Sequence, residues 1–62
     1  MRYVVNEYSE GIKTRFSSPS DVVEFLNNRL DISATDVVVL KEHENVVLTR
    51  KTAHEFIELQ AQ

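Results

Sequence analysis

The sequence contains no cysteine and no tryptophan, and only one glycine, one proline and one methionine among its 62 residues. Without cysteine there is no disulfide to staple a small fold and no thiolate for nucleophilic or metal chemistry. A single glycine disfavours a phosphate-cradling loop, which uses several so that backbone N–H groups can approach the anion. Long apolar runs are also missing: the longest, residues 37–40, falls far short of the roughly 20 residues that span a bilayer. The N-terminal stretch Met1-Arg2-Tyr3-Val4-Val5-Asn6-Glu7 lacks a signal-peptide core, and no Asn-x-Ser/Thr acceptor occurs. A cytoplasmic protein with no membrane partner is expected.

Ten acidic residues against seven basic give a net charge of -3, mild in size and of the wrong sign for routine nucleic-acid binding. The 42% apolar and 27% charged content is that of a folding chain rather than a disordered one. A chain this short buries only about 60% of its unfolded surface and is marginal alone. One small domain over residues 1–62 is the natural organisation.

The few punctuating residues divide the chain. Residues 2–8 and 12–17 are rich in β-branched and aromatic side chains, and Ile12, Thr14 and Phe16 alternate with Lys13, Arg15 and Ser17. Ser9-Glu10-Gly11 between them fits a three-residue hairpin loop ending on a left-handed glycine. That loop would set Tyr8 opposite Ile12, Glu7 opposite Lys13 and Val4 opposite Phe16. Ser18-Pro19-Ser20-Asp21 starts a helix, with Ser18 as cap, Pro19 at the first turn and Asp21 closing a capping box. The helix is expected to run to about Leu30 on a stripe of Val22, Val23, Phe25, Leu26 and Leu30, with Asp21 and Glu24 suiting its N-terminal end and Arg29 the other.

Residues 36–42 and 46–51 read as two further strands, because successive valines lose side-chain freedom in a helix and pack well on a pleated surface. Asn45 can supply the left-handed residue between them. The likeness of Ser33-Ala-Thr-Asp36 to Ser18-Pro-Ser-Asp21 offers a competing helix start, which the valines oppose. Thr52-Ala53-His54-Glu55 is a second capping box, opening a short helix with Ala53, Phe56, Ile57 and Leu59 inward. An offset of 34 aligns Gly11 with Asn45, Ser18 with Thr52 and Asp21 with Glu55. The expected architecture is α+β, ββαββα: a four-stranded, mainly antiparallel sheet with two short helices on one face. It reads as two ββα units, residues 1–30 and 36–62, with pseudo-twofold symmetry.

Residues able to carry chemistry are sparse. His43-Glu44 and His54-Glu55, with Glu58 one turn after His54, lack the His-Glu-x-x-His pattern and any cysteine, so no metal site is expected. The serines at 9, 17, 18, 20 and 33 read as turn and cap residues, and no Gly-x-Ser-x-Gly elbow exists. No catalytic residue, cofactor or enzymatic activity is therefore expected. The surplus is apolar. With Val4, Tyr8, Ile12, Phe16, Val38, Leu40, Val46 and Leu48 packed under the helices, Tyr3, Val5, Val37, Val39 and Val47 would remain on the opposite face, rimmed by Arg15 and Lys51. A patch of that size marks a partner, and a homo-oligomer is its commonest form. The expected function is a small non-catalytic binding or regulatory protein acting through protein–protein contacts. Two alternatives stand beside it: a nucleic-acid-binding module using Lys13, Arg15, Arg50 and Lys51, with Tyr3 and Val5 across from the first two, and an acidic inhibitor of a basic groove using Glu7, Glu10, Glu42 and Glu44.

Overall fold

A computed structural model describes residues 1–41, 43 and 46–62. The order is β1 (Arg2–Glu7), β2 (Ile12–Phe16), α1 (Pro19–Asn27), β3 (Thr35–Leu40), β4 (Val47–Thr52) and α2 (Ala53–Gln60), the expected ββαββα. The strands form one antiparallel sheet in the order β2-β1-β3-β4. The central pair is β1 with β3, and each edge strand leads directly into a helix. Both helices lie on the same face, making a slab of 31 × 29 × 15 Å. The Ser33–Asp36 segment leads into a strand, not a helix.

The caps act differently from one another. Thr52 Oγ1 accepts from the Glu55 backbone N–H at 3.2 Å and donates to Glu55 Oε1 at 3.1 Å, so this cap engages its first turn. Ser18 sits at the N-cap of α1 with Pro19 after it, but its hydroxyl pairs with Ser20 Oγ at 2.8 Å and caps no backbone N–H of the first turn. Helix α1 also ends three residues before Leu30, where the Asn28 side-chain amide donates to Glu24 O. Leu30 leaves the apolar stripe and is fully exposed. Leu59 at the end of α2 is exposed as well.

The core is Val5, Val22, Leu26, Val37, Ala53 and Phe56, with Tyr3, Phe16, Val23, Phe25, Ile32 and Ile57 packed around it. Tyr3 meets Phe56 edge-on at 6.0 Å, and Phe16 meets Phe25 at 5.2 Å. Arg29, just past α1, lies over the Phe25 ring at 4.3 Å and donates to Glu7 Oε1 at 3.1 Å. Glu7 is buried, and this pairing is what makes its burial tolerable.

The hairpin register differs from expectation by one residue, and the consequence is large. Glu7 pairs with Ile12, Val4 with Arg15 and Tyr3 with Phe16, around a four-residue loop. Gly11 does adopt the left-handed conformation, with φ 66°, which a side-chain-bearing residue reaches only at a cost of about 1–2 kcal/mol. Tyr8 is drawn into the loop because Gly11 N–H bonds to Tyr8 O, while its own N–H bonds to Ala34 O on the other side. A one-residue slip in pairing exchanges the faces of one strand relative to its partner. Hence Ile12 and Phe16 remain on the helix side, whereas Val4 and Tyr8 leave it, and Tyr3, Val5 and Glu7 take their place.

Candidate functional site: the open face of the sheet

The antiparallel register builds the uncovered face as three rows crossing the strands. The central row is Arg15, Val4, Val38 and Arg50, one residue from each strand in the order β2-β1-β3-β4. Toward the hairpin loop lies Lys13, Asn6, Asp36 and Thr52; on the other side lies Arg2, Leu40 and Val47. Two cations thus flank an aliphatic pair across the full width of the sheet. With neighbouring strands about 4.8 Å apart, the Arg15 and Arg50 backbones stand about 14 Å from each other. Between them is a shallow hollow of about 300 Å³ lined by Val4, Asn6, Lys13, Arg15, Val38, Leu40 and Arg50.

Val38 and Leu40 have only 4% and 8% of their surface exposed, although no helix covers this side. The aliphatic stems of long cationic side chains cover such positions while their heads stay in water. Among its described residues the face carries Arg2, Lys13, Arg15 and Arg50 against the single carboxylate of Asp36, a local charge of +3 on a chain whose total is -3. The acids Asp21, Glu24, Glu55 and Glu58 belong to the helix layer. Arg2 and Arg15 are each in contact with neighbouring groups.

Two polar features complete the site. The Tyr8 hydroxyl donates to Asp36 Oδ2 at 3.0 Å and accepts from Arg50 Nη1 at 3.4 Å. The hydrogen bond to Asp36, aided by desolvation and the Asp36 charge, pushes the Tyr8 phenol above its ordinary value, with Arg50 opposing. A phenol raised on folding contributes stability that is complete below the ordinary phenol range and lost as pH rises through the folded value. Asp36→Asn is expected to lower the Tyr8 titration toward that of a free phenol, read by NMR so that Tyr3 is resolved separately. An unchanged titration would show that the bond to Asp36 does not persist in solution.

The second feature is Asn6, 8% exposed, whose side-chain oxygen has no hydrogen-bond partner. Buried polar atoms are nearly always satisfied, so this oxygen, itself closed to solvent, carries a desolvation cost.

Of the residues expected to form an interface, Arg15 and Val47 lie on this face, Val47 being 54% exposed. Tyr3, Val5, Val37 and Val39 do not: the register turns them under α1 and α2, where Val5 and Val37 are fully buried. Lys51 pairs with Val37 and sits on that same helix side, beside Glu55 and Glu58. Of the four cations considered for nucleic acid, Lys13, Arg15 and Arg50 converge, while Lys51 is turned away and Tyr3 and Val5 are not across from them. Glu7 of the acidic set is buried against Arg29, and Glu42, Glu44 and Asn45 lie outside the described residues.

Val4, Asn6, Val38 and Leu40 are the site residues that reading the sequence missed. A signal was present in β1, where the even positions Arg2, Val4 and Asn6 are more polar than Tyr3 and Val5. Among the described residues no group of three or more His, Cys, Asp or Glu is placed to hold a metal ion, and no helix is long and apolar enough to cross a membrane.

Fold and site together define a two-layer α+β protein with one sheet face that no helix covers, on which the described charged residues are mainly cations. Comparison with protein-family models, curated proteins and solved structures found nothing that matches this chain.

Proposed function

We propose that this is a small non-catalytic binding protein that acts through protein–protein contacts on the open face of its sheet, and that its partner presents an acidic surface. The observation that carries this reading is the row Arg15-Val4-Val38-Arg50, which sets cations on both flanks of an aliphatic strip. Opposite charge across an interface steers encounter and selects partners. Self-association through this face is the weaker reading, since a twofold contact would bring like patches together and set one copy's cations against the other's. Nucleic acid is disfavoured because bases are held on sheets by stacking aromatics. The one aromatic on this side, Tyr8, is tied to Asp36 and Arg50 at the margin.

Site-resolved photo-crosslinking in cells producing the protein tests this. A photoreactive side chain at Lys13, on the open face, is expected to trap a discrete protein, and the same group at Glu24, on α1, is not. Crosslinks to protein from Glu24 alone, or to nucleic acid from Lys13, would overturn the reading.

A further inference from the structure

We infer that a second hollow, at the end of the molecule where β1 turns into the hairpin loop and α1 gives way to β3, binds a small aliphatic polyamine. This site is separate from the open face. Its floor holds Glu7 and Thr35, the last residue of β1 and the first of β3, which pair across the two strands. Its volume is about 460 Å³, in the range of small-molecule sites and larger than the hollow on the open face.

The floor carries acceptors that the protein leaves unused. Thr35 is 5% exposed, and its hydroxyl makes no hydrogen bond among the described residues. Unlike Asn6 Oδ1 it is not sealed from solvent, so its open side gives onto the hollow that Thr35 lines. The Glu7 side chain is 9% exposed, and Arg29 donates to its Oε1, which leaves Oε2 in the same condition. A carboxylate oxygen and a hydroxyl, both nearly buried and neither given a donor by the protein, are matched by a ligand that donates.

Charge decides which donor. Three carboxylates, of Glu7, Glu10 and Asp31, line the hollow against the one guanidinium of Arg29, a local charge of -2. A cleft lined by one sign of charge concentrates ions of the other. Among the described residues no three acidic or imidazole groups are placed to hold a metal ion, so these carboxylates are too dispersed for one point charge and match a cation with several charged centres. At the floor an ammonium fits better than a guanidinium. Its three donors are compact, whereas a guanidinium grips a carboxylate through two parallel bonds, and Arg29 already holds one Glu7 oxygen. Ala34 and the fully exposed Leu30 give a methylene chain apolar surface, and further ammoniums then meet the exposed carboxylates of Glu10 and Asp31. The Ser33 N–H and hydroxyl, at 2.9 and 2.7 Å from Asp31 Oδ1, hold that carboxyl below the usual range and so keep it charged.

The test titrates the protein with spermidine and with N-acetyl-lysine methylamide, a lysine side chain carrying a single ammonium. Binding is read by calorimetry and by NMR shifts at Thr35 and Leu30. Spermidine is expected to bind below millimolar concentration, to shift both signals, and to exceed the lysine derivative by about tenfold or more. An acidic protein attracts any polyamine weakly, and two variants of equal charge separate the site from that background. Glu10→Gln, at the hollow, should weaken spermidine binding by about threefold, the worth of an exposed ion pair. Asp21→Asn, in the first turn at the other end of α1, should leave it unchanged. Thr35→Val keeps the side chain's shape and removes the hydroxyl; it should weaken binding by about tenfold while thermal unfolding stays cooperative. Equal losses in Glu10→Gln and Asp21→Asn would reduce the effect to net charge and overturn the inference. Equal affinity for the lysine derivative would assign the hollow to a partner's lysine and overturn the polyamine. Affinity unchanged by Thr35→Val, shifts confined to other residues, or no spermidine binding at millimolar concentration would each overturn it as well.

Discussion

Val37→Lys is expected to leave the chain unfolded, whereas Val4→Lys, one strand away in the same sheet, is expected to keep the native fold. Val37 is fully buried between Val5 and the helices, with no carboxylate among the core residues around it. An unpaired ammonium there would have to be desolvated or discharged, and either costs several kcal/mol. A domain below about 70 residues holds only about 3–5 kcal/mol in its core, so that loss is enough. Val4 is half-buried on the open side, where a lysine can extend its head into water between Arg15 and Val38. Circular dichroism and urea titration of the two variants read the difference directly. If Val4→Lys unfolds and Val37→Lys does not, the helices cover the other face, and the site described here is core.

Phe56→Ala is expected to destabilise the protein by about 3–5 kcal/mol, the cost of removing a buried ring and leaving a cavity. The size of the effect follows from where Phe56 stands. Helix α2 has eight residues, too few to persist alone in water, and its hold on the sheet is through Ala53 and Phe56. Phe56 also closes on Tyr3 edge to face at 6.0 Å, so its loss loosens β1 as well as α2. The variant should show no cooperative thermal transition at ordinary temperature. A loss below about 1 kcal/mol would mean that α2 is not docked as described, since surface substitutions fall in that range.

The elements themselves were legible because their signals are local. Two cap residues, Ser18 and Thr52, mark both helix starts; the valine runs mark β3 and the approach to β4; and Gly11 marks the left-handed end of the first turn. Each depends on steric preferences or short-range hydrogen bonds within a few residues. The C-terminal end of α1 was less legible. Leu30 continues the helical spacing, but Asn28 closes the helix early and Arg29 turns to Glu7, a residue on a different element. Nothing close in sequence to Leu30 reports that contact.

The candidate site depended on one number that the sequence leaves open, the length of the first hairpin loop. Three residues would place Val4 with Phe16; four place it with Arg15, and the four-residue loop is what forms. Both valines of β1 are apolar, and all three of β3 are, so hydrophobic alternation does not choose between the faces of those central strands. Pairs distant in the chain favour the face that is buried: Glu7 meets Arg29, Tyr3 meets Phe56, and Tyr8 N–H bonds to Ala34 O. In β4 a further irregularity opposite the Val39–Leu40 step shifts the pairing, sending Arg50 to the open face and Lys51 to the helix side.

What this chain's sequence determined by itself was therefore its inventory: no disulfide, no glycine-rich phosphate loop, four strands, two capped helices and more apolar strand surface than two short helices can cover. Tertiary structure alone decided which half of that surface is covered. Strand side chains alternate with a period of two, so a single-residue choice of register reverses which set is buried. In β1 and β3 both sets can be buried, and long-range contacts settle the choice that local preference leaves even.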